Sequence, residues 1–149
     1  MKIGLIGLPL VGKTTLYNLL TNSDAAVSKF LTGKTEPNLG MAKVPDLRID
    51  WLSQLFKPKK TIYAQIETTD LPGLSHDTAS GSNAFLQNIR QVDALVHVIR
   101  TFEANDIEHV DGKVDPLRDF NNVNAELLLA DMDFVEKRLQ RIQSGKRSE

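Results

Sequence analysis

A chain of 149 residues with no cysteine can hold no disulfide, no thiolate zinc site and no cysteine nucleophile. Its length suits one core of ordinary size, and 41% hydrophobic with 25% charged residues are the proportions of a soluble globular domain. A net charge of −1, with Lys and Arg scattered along the chain, gives no support for a broad nucleic-acid surface. No apolar run approaches the ~18 residues of a membrane span.

The predicted elements alternate between strand and helix. Residues 2–7 are apolar and read as a buried first strand. Residues 1–12, with Lys2 basic and Ile3 to Val11 apolar, resemble a signal peptide, but no small-residue cleavage pattern follows and Lys13 interrupts the run. Gly7-Leu-Pro-Leu-Val-Gly-Lys-Thr14 comes next, a G-x-x-x-x-G-K-[ST] phosphate loop between a strand and a helix. In such a loop the backbone of Gly7, Leu8, Pro9, Leu10, Val11 and Gly12 wraps the phosphates of a nucleoside triphosphate. Lys13 reaches the β- and γ-phosphates, and the Thr14 hydroxyl ligates Mg²⁺. Thr15 is a further nucleotide-binding residue expected here, in the first turn of the following helix, whose partly positive N-terminus faces the same phosphates.

That helix spans about 13–22, with Leu16, Leu19 and Leu20 on one face. Thr21-Asn-Ser-Asp24 ends it, and residues 23–37 read as a loop. Leu39–Val44 suits an edge strand. Asp46 caps a short helix to about Phe56, with Leu47, Trp51, Leu52 and Leu55 expected inward. Residues 61–69 alternate and read as a strand, 70–81 as a loop and 83–92 as a helix. Residues 94–99 are nearly all apolar, as expected of a central strand covered on both faces. Asp115-Pro116 is a cap and first-turn proline, and a long helix is expected over 121–143. Leu128, Val135, Leu139 and Ile142 give it a heptad-like seam. The seam suits half of a helical hairpin; a C-terminal helix packed on the sheet is the alternative. The alternation predicts a three-layer α/β fold with a largely parallel sheet.

A second motif, Asp70-Leu-Pro-Gly73, follows the strand at 61–69. Asp70 at the carboxyl end of that strand can hold Mg²⁺ through water, and the Gly73 N–H can contact the γ-phosphate and sense its loss. Further stretches join these two: Glu36-Pro-Asn38, Gly73-Leu74, Phe85-Leu, Asn88-Ile-Arg90, His97-Val98 with Arg100, His109-Val, Gly112-Lys-Val, Glu126-Leu and Ala130-Asp131. With them the chain resembles the N-terminal part of the YchF or Obg-like ATPase family, a branch of the Obg-related translation-factor-class P-loop GTPases.

The resemblance implies a G domain over 1–120, incomplete, and the start of a helical, coiled-coil insertion over 121–149. The base-reading Asn-Lys-x-Asp or Asn-x-x-Glu motif is missing; in the family it lies beyond the insertion. The sequence therefore reads as an N-terminal fragment without the base pocket, half the hairpin and the family's C-terminal ubiquitin-like domain. The implied activity is that of a cytoplasmic switch that binds and slowly hydrolyses ATP or GTP with Mg²⁺, with ribosomal partners. Leu74 stands where Ras-like enzymes carry the water-orienting Gln. The resemblance points instead to His109, in the loop 102–114, with a solvent-exposed loop His as the alternative; His76 is a second candidate by its proximity to Asp70, and His97, inside the apolar strand, reads as structural. Three departures stand out, one being a second switch that is shorter and lacks the family's usual Gly- and Lys-rich run. Leu10 replaces the Asn whose oxygen helps coordinate potassium in related GTPases. Lys34 replaces the first-switch Thr, leaving Thr35 or Thr32 as the second Mg²⁺ ligand. Leu10, Lys34 and Leu74 motivate a second reading, a nucleotide-binding module without turnover. A nucleotide kinase is disfavoured because no arginine-rich lid is evident.

Overall fold

Strand β1 (Lys2–Ile6) runs between and parallel to β3 (Gln65–Asp70) and β4 (Ala94–His97), and β2 (Asn38–Lys43) pairs antiparallel with β3. The sheet order is β2-β3-β1-β4. These relations come from a computed structural model that describes residues 1–28, 36–73, 88–104 and 106–145. In the parallel pairs Leu5 lies opposite Asp70, and Ile6 opposite His97. Three strands thus release the chain along one carboxyl edge, where ligands of open α/β sheets bind.

Two of the three long helices described begin at a side-chain cap. Helix α1 (Lys13–Thr21) starts after Gly12 and stops at Asn22, left-handed, whose N–H bonds to the Asn18 carbonyl. Helix α2 (Leu47–Phe56) starts at Asp46, which accepts from the Arg48 N–H. Helix α3 (Pro116–Gln143) starts at Asp115, which accepts from the Arg118 N–H, with Pro116 in the first turn. The core gathers under the carboxyl edge. Ile6, Leu8, Val11, Leu71 and Val123 form it, with Ile89, Val98 and Leu127 packed against them. The phosphate loop, the second motif and the foot of α3 therefore share one apolar centre.

Several expectations need correction. β4 is an edge strand of the described sheet, not a central one, and Leu95 and Val96 are more than a third exposed. The inward face expected of α2 is open: Leu47, Trp51, Leu52 and Leu55 are all exposed, and the helix buries no residue. In α1 the inward positions are Lys13 and Tyr17, while Leu19 and Leu20 face out. Apolar periodicity shows that a face can be covered; it does not show which element covers it. Helix α3 opens at Pro116 rather than near 121, because the Asp115 cap already satisfies its first turn. β3 begins at Gln65 and includes Asp70. The seam residues Leu128, Val135, Leu139 and Ile142 are each more than half exposed. The expected helix at 83–92 lies mostly outside the described residues. So do Thr32, Lys34, Thr35, Leu74 and His76.

Candidate functional site

The loop after β1 is shaped by two glycines. Gly7 (φ 143°) and Gly12 (φ 99°) occupy backbone conformations that side chains disfavour, and a Cβ on Gly7 would strike the Val98 carbonyl. Leu8 and Val11 are buried in the core and peg the loop down. Leu10 takes a left-handed conformation (φ 60°) in which a leucine is strained and an asparagine is tolerated. Lys13 is 7% exposed. Its Nζ donates to the Leu8 carbonyl at 2.6 Å and the Gly7 carbonyl at 3.2 Å, so the ammonium sits within the curve of its own loop. Thr15, one residue into the helix after Thr14, is exposed.

The second motif meets this loop directly. The Thr14 hydroxyl donates to Asp70 Oδ2 at 2.7 Å, and Asn38 Nδ2 donates to the same oxygen at 3.0 Å. Asp70 is 1% exposed. A hydroxyl and a carboxylate brought together at the end of a sheet form an oxygen donor set that fits Mg²⁺. Gly73 abuts the loop: a Cβ there would lie 2.7 Å from the Pro9 nitrogen and 2.8 Å from its Cα. Only glycine permits this approach.

His109 bonds to the foot of α3. It is buried, its Nδ1 accepts from the Asp111 N–H at 3.1 Å, and its Nε2 is 2.9 Å from Asp119 Oδ2. With Nδ1 accepting, Nε2 carries the proton and donates to the carboxylate. Both ring nitrogens are thus engaged, and neither bonds to the loop 7–14. The ligand atoms of His109, Asp111 and Asp119 lie within 4.8 Å of one another. Arg118 already supplies positive charge there, 2.9 Å from Asp119 and 3.6 Å from Asp111.

Arg100 governs the path to His109. Its guanidinium is 2% exposed and donates to the carbonyls of Phe102 at 3.0 Å, Ile107 at 3.0 Å and Ala104 at 3.4 Å. His97, at the end of β4, stacks on Phe120 of α3 with ring centroids 5.7 Å apart. Burial lowers its pKa, as does the charge of Lys13, and Asp119 partly offsets both. That places the end of β4 within electrostatic range of both the loop lysine and the foot of α3.

The structure therefore brings together Gly7 to Thr14, Asp70 and Gly73, engages His109 with Asp111 and Asp119, and leaves Thr35 outside the described residues. Sequence reasoning gave no role to Asn38, Arg100 or Asp119. Asn38 becomes notable only through its register opposite Asp70. A charged residue straight after an apolar strand was the available signal for Arg100.

A phosphate loop after β1 facing a carboxylate at the end of β3 defines a P-loop nucleoside triphosphatase fold of the G-domain type. Residues 2–132 match the family model described as 50S ribosome-binding GTPase, and the chain belongs to that family. It is 45% identical over 145 residues to the ribosome-binding ATPase YchF of Bacillus subtilis (strain 168), covering 95% of this chain and 40% of that protein. It is 41% identical over 152 residues to Obg-like ATPase 1 of Oryza sativa subsp. indica, covering 99% of this chain and 39% of that one. The structure of the Schizosaccharomyces pombe YchF GTPase superposes with a TM-score of 0.74 at 36% identity, over 100% of this chain and 40% of that one. The likeness to YchF and Obg-like ATPases read from the motifs is borne out. The chain spans about two fifths of the length of these relatives. No helix among the described residues is long and apolar enough to cross a membrane.

Proposed function

We propose that this chain is the nucleotide-binding part of a Mg²⁺-dependent switch that binds and slowly hydrolyses ATP or GTP in the cytoplasm. The observation that carries this reading is the Thr14–Asp70 contact beside the Lys13 loop. The amides of the loop and Lys13 hold the phosphates. To do so Lys13 exchanges its bonds to Gly7 and Leu8 for phosphate oxygens, a trade of neutral acceptors for charged ones. Thr14 and Asp70 hold Mg²⁺, which neutralises charge on the β- and γ-phosphates when bound. Thr35 is the proposed further ligand. Gly73, packed on Pro9, reports the γ-phosphate to the second switch. His109 places water once its Nε2–Asp119 bond is exchanged. We assign 1–120 to the nucleotide-binding domain and 121–149 to the start of a helical insertion, in keeping with the exposed seam of α3. Relatives named as ribosome-binding make the ribosome the proposed partner.

The alternative is a binding module without turnover. The engagement of both His109 nitrogens favours it. Multiple-turnover phosphate release separates the two readings: steady release supports the switch, and binding without release supports the module. Lys13→Ala tests the site itself. Charge-assisted bonds contribute about 1.5–3 kcal/mol, so triphosphate affinity should fall roughly ten- to a hundred-fold. Unchanged binding by calorimetry in a folded variant would remove the assignment.

A further inference from the structure

Asp70 is the carboxylate on which the proposed metal site turns, and a buried carboxylate needs more than its own backbone to hold one orientation. Thr14 and Asn38 both donate to its Oδ2, at 2.7 and 3.0 Å. The two donors differ in what else they can do. The Thr14 hydroxyl is itself a proposed ligand, and its oxygen turns to the ion when one binds. The Asn38 amide has no such second duty and keeps its bond to Asp70.

The position of Asn38 is set twice by the backbone. It opens β2 and lies directly opposite Asp70 in the antiparallel register. Two residues on, Gly40 passes so close beneath Tyr17 that a Cβ would lie 2.5 Å from the tyrosine oxygen. Tyr17 is 3% exposed and belongs to α1, the helix that begins with Lys13 and Thr14. β2 is thereby held against the same helix that carries the loop threonine. Its first side chain is delivered onto the carboxylate from the side opposite β1.

We propose that Asn38 is a positioning residue for Mg²⁺, acting through Asp70. The proposal rests on the metal site put forward above. Losing a partner that orients a metal-holding carboxylate typically weakens metal affinity by about 10- to 100-fold. The lower end is expected here, because Asp70 keeps its cross-strand backbone pairing with Asn38.

The test uses the 149-residue chain and a fluorescent nucleoside triphosphate. Affinity is measured in excess EDTA and across a Mg²⁺ titration. Asn38→Ala should raise the Mg²⁺ concentration for half-maximal tightening about ten-fold, while affinity in EDTA stays within two-fold. Asn38→Val, which favours a strand and carries no donor, should do the same. In an Asp70→Asn background Asn38→Ala should move the half-point less than two-fold, since the residue then has no carboxylate to orient. The assignment is overturned if the half-point stays put in the wild-type background, or shifts equally in both. It is also overturned if affinity falls equally with and without Mg²⁺, or if neither variant folds; Asn38 would then serve the strand alone. A wild-type chain that binds triphosphate with no Mg²⁺ dependence would overturn the metal site and Asn38 together. Mg²⁺ dependence unmoved by Asn38→Ala would overturn Asn38 alone.

Discussion

Gly40→Ala probes the packing that holds β2 in place. An added Cβ would lie 2.5 Å from the Tyr17 oxygen, 3.0 Å from Thr21 Cγ2 and 3.1 Å from Tyr17 Cζ. Tyr17 is buried, so its ring has little room to retreat. Two effects compete. Replacing a strand glycine by alanine restrains the unfolded chain and stabilises by about 0.4–1 kcal/mol. Overpacking a fitted site costs about 1–3 kcal/mol. The steric effect is larger, and a net loss of about 1–2 kcal/mol is expected. For a domain of this size each kcal/mol moves the melting temperature by about 2–4 °C, so the variant should melt about 2–8 °C lower. The assay is thermal unfolding followed by circular dichroism, alone and in a Tyr17→Phe background. Removing the phenolic oxygen removes the shortest contact, so Gly40→Ala should there cost less than half as much. An unchanged or raised melting temperature would refute the reasoning, as would an equal loss in both backgrounds.

Leu10→Asn should stabilise the protein by about 1 kcal/mol, because Leu10 is held left-handed and an asparagine tolerates that conformation; a lower urea midpoint would contradict this. His97 should titrate below its usual 6.5 by NMR, with burial and Lys13 as the causes. Because the folded chain holds that proton less tightly than the unfolded chain, its contribution to stability is present above about pH 6.5 and is lost as pH falls through the folded value. A His97 midpoint at or above 6.5 would refute the placement. ATP and GTP should bind this chain with dissociation constants within about ten-fold of each other, one hydrogen bond's worth, since Lys13, Thr14 and Asp70 address only phosphates and metal. A ratio above about a hundred would reveal a base pocket within these residues.

The parts of the site legible in the sequence are those whose chemistry is local. Gly7, Gly12, Lys13 and Thr14 are close in the chain, and their roles follow from one turn of backbone. Asp70 and Gly73 could be placed because their D-x-x-G pattern ends a strand that follows the phosphate loop. Asn38 was out of reach because its meaning depends on strand register, a long-range property. The open face of α2 was misjudged for a related reason: the spacing of Leu47, Trp51 and Leu55 records a face, whereas its cover is a matter of which elements meet it. In the described sheet β4 lies at an edge, and an apolar run by itself does not tell an edge from a covered centre.

The stacking of Phe120 on His97 has a mechanical consequence. Helix α3 is 28 residues long, which at 1.5 Å per residue is a rod of about 42 Å. Its foot is gripped by Val123 in the core and by His97 at the end of the strand beside the phosphate loop. Beyond Ala130 every described residue of the rod is exposed. Val123 lies about 30 Å from Gln143, so a tilt of about 5° at that point moves the end of the helix through about 3 Å. A small rotation at the foot of α3 is therefore enlarged along the helix with no extra moving part.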